Sequence, residues 1–132
     1  MGGGKAALHG MVSTGVGDGA FFMSLEPYAI AMEEKLGYAP FKGTLNLKVN
    51  GQQAKKFIGS LRPVRILGFK KGTKQFGKVD CYPCMISQVK CAIIIPEFTR
   101  YGHDIVEIIS ELNLRKELNL KDGNNVTIEL MQ

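Results

Sequence analysis

Tryptophan is absent from this chain, histidine occurs only at His9 and His103, and cysteine only at Cys81, Cys84 and Cys91. Each scarcity excludes something. An odd number of cysteines behind a start, Met1-Gly-Gly-Gly-Lys5, that lacks the apolar core of an export signal argues for reduced thiols over a disulfide framework. Cys81-Tyr-Pro-Cys84 occurs once, and the cysteine and histidines left to complete a tetrahedral zinc site have no paired ligand spacing. On one continuous strand Cys81 and Cys84 would face opposite sides, so they read as core or surface thiols. Neither histidine belongs to a Ser/His/Asp or Cys/His constellation. No apolar run approaches the ~20 residues that span a bilayer, so a soluble, cytoplasmic protein without a membrane partner is expected.

What is present is ordinary globular material, 45% hydrophobic and 22% charged over 132 residues. That length suits one domain with one core, residues 1–132, behind a glycine-rich start at 1–6 that is expected to fray. The net charge of +5 suits an anionic ligand, either nucleotide or nucleic acid. Lys55-Lys56, Lys70-Lys71, Lys74 and Lys90 are dispersed, however, and no row of basic residues interleaves with aromatic ones. A nucleic-acid partner is therefore not expected, although a small basic β barrel that binds RNA or DNA is the rival reading.

Short or alternating apolar runs predict strands at Leu8–Ser13, Ala20–Leu25, Thr44–Val49, Val64–Phe69, Phe76–Ile86, Lys90–Ile95 and Asn125–Leu130. Helical spacing predicts helices at Pro27–Leu36 and Asp104–Leu112, with a shorter amphipathic stretch at Gln52–Leu61. Many evenly spread strands fit a mainly β protein, a small closed or nearly closed barrel with helices in its crossovers.

Two motifs suggest phosphoryl transfer. Gly15-Val16-Gly17-Asp18-Gly19 falls between predicted strands, so it is neither a Walker loop nor a dinucleotide fingerprint. Its bare backbone can approach phosphate oxygens, as a kinase glycine hairpin does, or it can be a simple turn. In Gly43-Thr44-Leu45-Asn46, the residues two apart on a strand project together. Thr44 and Asn46 thus offer two hard oxygens suited to Mg²⁺, or satisfy local backbone. Further on, Pro96–Tyr101 leaves a predicted strand, where a barrel would carry polar site residues. Asp104-x-x-Glu107 has the spacing of a helix capping pair, which gives Glu107 a structural alternative.

These pieces stand in a recognisable order. Gly10-x-x-Ser13-x-Gly15-x-Gly17-Asp18-Gly19, Leu36-Gly37-Tyr38-x-Pro40-Phe41-x-Gly43-Thr44-Leu45-Asn46, Leu61-Arg62, Gly68-Phe69, Phe76-Gly77, Thr99, Glu107-Ile108-Ile109, Leu114-Arg115 and Leu120-Lys121-Asp122-Gly123 resemble the archaeal-type CTP-dependent riboflavin kinases. The resemblance implies a six-stranded cradle-loop barrel that makes FMN and CDP from riboflavin and CTP with one Mg²⁺ ion. It implies that Gly15, Val16, Gly17, Asp18, Gly19 and Ala20 cradle the nucleotide phosphates and that Leu112, Asn113, Leu114 and Arg115 line the cytidine pocket. Thr44 and Asn46 would hold the metal, and Thr99 and Glu107 would meet the flavin, with Glu107 the catalytic candidate. Thr14 and Phe98 depart from the pattern, which has a small residue and an arginine there. A non-catalytic flavin or nucleotide sensor would use the same pocket without transfer.

Overall fold

Alternation in β1 (Ala7–Ser13) turns Leu8 and Val12 inward and leaves His9 and Met11 outside. The computed structural model describes residues 6–15, 23–98 and 104–131, and the same period-two rule organises β2 (Leu45–Val49), β3 (Val64–Ile66), β4 (Phe69–Lys71), β5 (Lys74–Phe76), β6 (Val79–Ile86), β7 (Val89–Pro96), β8 (Ile105–Ile109) and β9 (Asn125–Glu129). The main sheet runs β3-β6-β7-β8-β2-β1-β9, and a β6–β9 pairing closes it. Six antiparallel strands thus form a closed barrel, with β3 hung on β6 outside the closure. Closure removes the exposed edges that an open sheet would carry. β4 and β5 make a separate hairpin.

Helices α1 (Glu26–Leu36), α2 (Gly51–Gly59) and α3 (Leu114–Glu117) occupy crossovers; the sequence pattern predicts the first two, and α3 falls where no helix is predicted. Pro27 sits in the first turn of α1, and Gly37 ends it in the left-handed conformation at φ 85° with its N–H on the Glu33 carbonyl. Asn50 caps α2, its Oδ1 accepting from Gln53 N at 3.0 Å.

Two apolar clusters result. The barrel interior holds Leu8, Val12, Leu45, Leu47, Ile93, Val106, Ile108 and Ile128, with Phe57 of α2 and Leu114 of α3 packed into the same cluster. Outside, α1 lays Tyr28 and Met32 over Val79, Cys81, Ala92, Ile94 and Ile109. Cys81 belongs to the outer cluster and Cys84 to the inner, so the two do face opposite sides of β6. All three cysteines are free and buried, with Cys84 Sγ 3.5 Å from Cys91 Sγ. Burial pushes the Cys81 thiol up to about 12.

Three sequence expectations are corrected. The predicted helix Asp104–Leu112 is instead strand β8 followed by a turn, because Ile105, Val106, Ile108 and Ile109 are β-branched and both faces of the strand are covered. The capping pair disappears with that helix. In the predicted strand Ala20–Leu25, the part that is described, Met23 to Leu25, forms the entry to α1, and the rest lies outside the described residues. The runs Val64–Phe69 and Phe76–Ile86 each break at a glycine, Gly68 or Gly77, releasing the β4–β5 hairpin from the barrel strands. Of the glycine-rich start, residues 1–5 lie outside the described residues.

Candidate functional site

Strand register aligns one row across four strands on the outer face of the barrel. Ser13 opposes Asn46, Asn46 opposes Glu107, and Glu107 opposes Ile94. The inward neighbours Leu45, Leu47, Val106 and Ile108 anchor β2 and β8 in the core, which leaves Asn46 and Glu107 no choice but the other side. Both are buried all the same, at 6% and 4% exposure. Buried polar groups of this kind require partners.

Thr44, just before β2, links the two. Its Oγ1 donates to Glu107 Oε1 at 3.4 Å and accepts from Asn46 Nδ2 at 3.5 Å. With the amide nitrogen turned to Thr44, the Asn46 Oδ1 is left buried without a hydrogen-bond partner among the described residues. Gly15 closes over it: a Cβ at that position would lie 2.3 Å from Oδ1, so only glycine lets the backbone pass here. A buried acceptor with no donor is a costly arrangement, about 1–3 kcal/mol, unless a ligand supplies the missing partner. Among the described residues there is no group of three or more His, Cys, Asp and Glu that could hold a metal. The hydroxyl of Thr44, the orphan amide oxygen of Asn46 and the nearby Glu107 carboxylate nevertheless make a hard-oxygen set that fits a small divalent cation.

Two clefts meet at Thr44. One of about 550 Å³ is lined by Thr14, Gly15, Gly43, Asn46, Arg115 and Asp122 with Thr44 itself. Its neighbour, about 200 Å³, is walled by Phe41, Ser110, Leu112, Asn113, Leu114 and Arg115 and shares Gly43 and Thr44. Phe41 is held there by its N–H on the Ser110 carbonyl at 2.7 Å. Asn113 caps α3, accepting from Lys116 N at 3.3 Å, and Leu114 plugs into the core. Arg115 therefore emerges toward β1, where Nη2 donates to the Ser13 carbonyl at 3.1 Å and to Asp122 Oδ1 at 2.7 Å. The Thr14 hydroxyl, first, and Arg115, second, hold the Asp122 carboxyl below the usual carboxylate range.

The fold thus brings Gly15, Thr44, Asn46, Glu107 and Leu112–Arg115 into one neighbourhood from four separate stretches of chain. Val16, Gly17, Asp18, Gly19, Ala20 and Thr99 lie outside the described residues. Sequence reasoning passed over Phe41, Ser110 and Asp122 as site residues. Asp122 stood beside Gly123 in a recognisable turn, but nothing local tied that turn to Thr14, 108 residues away.

A family model named CTP-dep_RFKase, described as "Domain of unknown function DUF120", matches residues 12–130. The chain is 42% identical over 125 residues to a riboflavin kinase of Methanospirillum hungatei, covering 93% of this chain and 57% of that protein. It is 42% identical over 126 residues to one from Pyrobaculum aerophilum, covering 94% and 60%. With the riboflavin kinase of Thermoplasma acidophilum it shares 40% identity over 128 residues, 96% of this chain and 58% of that protein. The chain therefore spans somewhat under two thirds of the length of the curated relatives it matches. Among the described residues no helix is long and apolar enough to cross a membrane. A closed six-stranded barrel, a family model matched over residues 12–130 and relatives near 40% identity lead to one conclusion: this chain belongs to the CTP-dependent riboflavin kinase family.

Proposed function

We propose that the chain transfers the terminal phosphoryl group of CTP to the ribityl 5′-hydroxyl of riboflavin, giving FMN and CDP. Family membership motivates the substrates, and one observation carries the chemistry: the buried Asn46 Oδ1 under Gly15, without a hydrogen-bond partner among the described residues, beside Thr44 and Glu107. In the reaction a bond forms between the 5′ oxygen and the γ phosphorus while the bond from that phosphorus to the β–γ bridging oxygen breaks. The leaving CDP takes the electron pair, and the hydroxyl proton passes to Glu107. Such transfers have a loose transition state, so positioning and charge neutralisation supply most of the rate. The glycine segment from Gly15 to Ala20 binds the phosphates through backbone N–H groups. Leu112, Asn113, Leu114 and Arg115 bind the cytidine, while Thr99 and Glu107 contact the flavin. Thr44 and Asn46 hold Mg²⁺, which when bound neutralises phosphate charge. Glu107 orients the accepting hydroxyl and receives its proton late in transfer.

The test is to incubate the protein with riboflavin and each nucleoside triphosphate separately and to follow FMN. Formation from CTP, with ATP much poorer, is expected. Equal rates with ATP would remove the nucleotide choice, and binding of both ligands without FMN would leave a sensor in place of a kinase.

A further inference from the structure

Asp122 has no part in the transfer outlined above, yet both of its carboxylate oxygens are engaged. Oδ1 accepts from Arg115 Nη2 at 2.7 Å and Oδ2 from Thr14 Oγ1 at 2.6 Å. The same Arg115 nitrogen holds the Ser13 carbonyl. Backbone bonds from Val12 N to Asn124 O and from Gly123 N to Val12 O, both 2.8 Å, seat the Asp122 turn against the end of β1. The network closes on Val12, Ser13 and Thr14, the three residues directly before Gly15, whose bare backbone covers the Asn46 amide.

Two physical considerations say what the network is for. Its members are largely exposed, Arg115 at 38% and Asp122 at 55% of the side chain, and exposed ion pairs add little to global stability. Its effect is therefore local. A carboxylate on the wall of a phosphate-binding cleft also repels the ligand, so electrostatics alone disfavours Asp122 there. Positioning is the benefit that offsets the repulsion.

We propose that Asp122 is a positioning residue which, with Thr14 and Arg115, latches the stem of the glycine segment to the turn before β9 and sets Gly15 over Asn46. The kinetic consequence rests on the function proposed above, whereas the latch itself does not. Charge and position predict opposite signs for Asp122→Asn and Asp122→Ala. Removing a negative charge should tighten CTP binding, whereas releasing the latch should raise the KM for CTP by about tenfold, with the KM for riboflavin little changed. Thr14→Val should behave like Asp122→Ala, the double variant should be no worse than the poorer single one because both break one device, and Thr14→Ser should restore wild-type behaviour. In the ligand-free protein, amide hydrogen exchange at Gly15 should quicken in Asp122→Ala while the melting temperature stays close to wild type. Tighter CTP binding, additive single effects or unchanged exchange at Gly15 would overturn the latch. A wild-type protein that makes no FMN would overturn the proposed function instead, and the exchange measurement would still decide the latch.

Discussion

Along one outer row of the barrel, Ile94 and Ser13 lie at opposite ends, with Glu107 and Asn46 between them. At the Ile94 end, α1 covers the sheet with Tyr28 and Met32, and the surface beneath is apolar. At the Asn46 end the cover described is the backbone of Gly15, and the surface beneath is an amide, a hydroxyl and a carboxylate. Ile94, Glu107 and Asn46 are nonetheless all buried. A helix fills the space it covers with its own side chains and so selects hydrophobic partners, whereas a bare glycine backbone brings no side chain and leaves polar valences for something else to satisfy. The two ends of one row therefore differ in what covers them more than in where they sit.

The largest effect that would sharpen this contrast comes from Glu107. Glu107→Gln keeps the shape but loses charge and basicity, and it should lower turnover by about 10²–10⁴-fold with the melting temperature and the KM for CTP nearly preserved. Near-normal turnover in the folded variant would leave positioning and backbone donors as the whole mechanism. Next, Asn46→Leu makes the polar end resemble the apolar one. Transfer should fall by about 10²–10³-fold, riboflavin affinity should hold, and stability should rise, since the variant removes a buried oxygen that has no partner among the described residues. A destabilised Asn46→Leu would mean that the amide serves the fold. Thr44→Ser, which keeps the hydroxyl, should retain much of the activity.

Met32→Ala tests the covered end. The side chain is fully buried under α1, so the change should cost about 2–5 kcal/mol in denaturant unfolding and leave turnover per folded molecule unchanged. A kinetic defect there would break the division between the two ends. The smallest effect belongs to Asp80, which pairs with Arg65 at 2.9 Å and with Lys78 at 3.0 Å. The Arg65 hydrogen bond above all, helped by Lys78, holds this carboxyl below the usual range. A depressed folded pKa stabilises the protein above the unfolded value, about pH 4, and that contribution is lost as pH falls through the folded value. Asp80→Asn should therefore cost about 1 kcal/mol at neutral pH, converge with wild type in acid, and leave transfer untouched.

Much of the fold was legible because period two and period 3.6 are local properties. The alternation in β1 and β2, the proline-led α1 and the amphipathic α2 all stand where their patterns predict. β8 was not legible as a strand: Ile105, Ile108, Ile109 and Leu112 also fit one helical face, and a short apolar run cannot settle its own period. Burial on both faces, by the barrel interior and by α1, decided it.

The same division runs through the candidate site. The chain's own order of glycines, Thr44, Asn46 and Glu107 determined which residue types were available and what chemistry suits them, because hydroxyl, amide and carboxylate oxygens have the same donor properties wherever they occur. Only the tertiary structure decided that Glu107 stands beside Asn46 instead of capping a helix, that Gly15 seals the amide, and that Asp122 reaches Thr14. Those are consequences of strand register and barrel closure, which join residues far apart in sequence and depend on how the whole core packs.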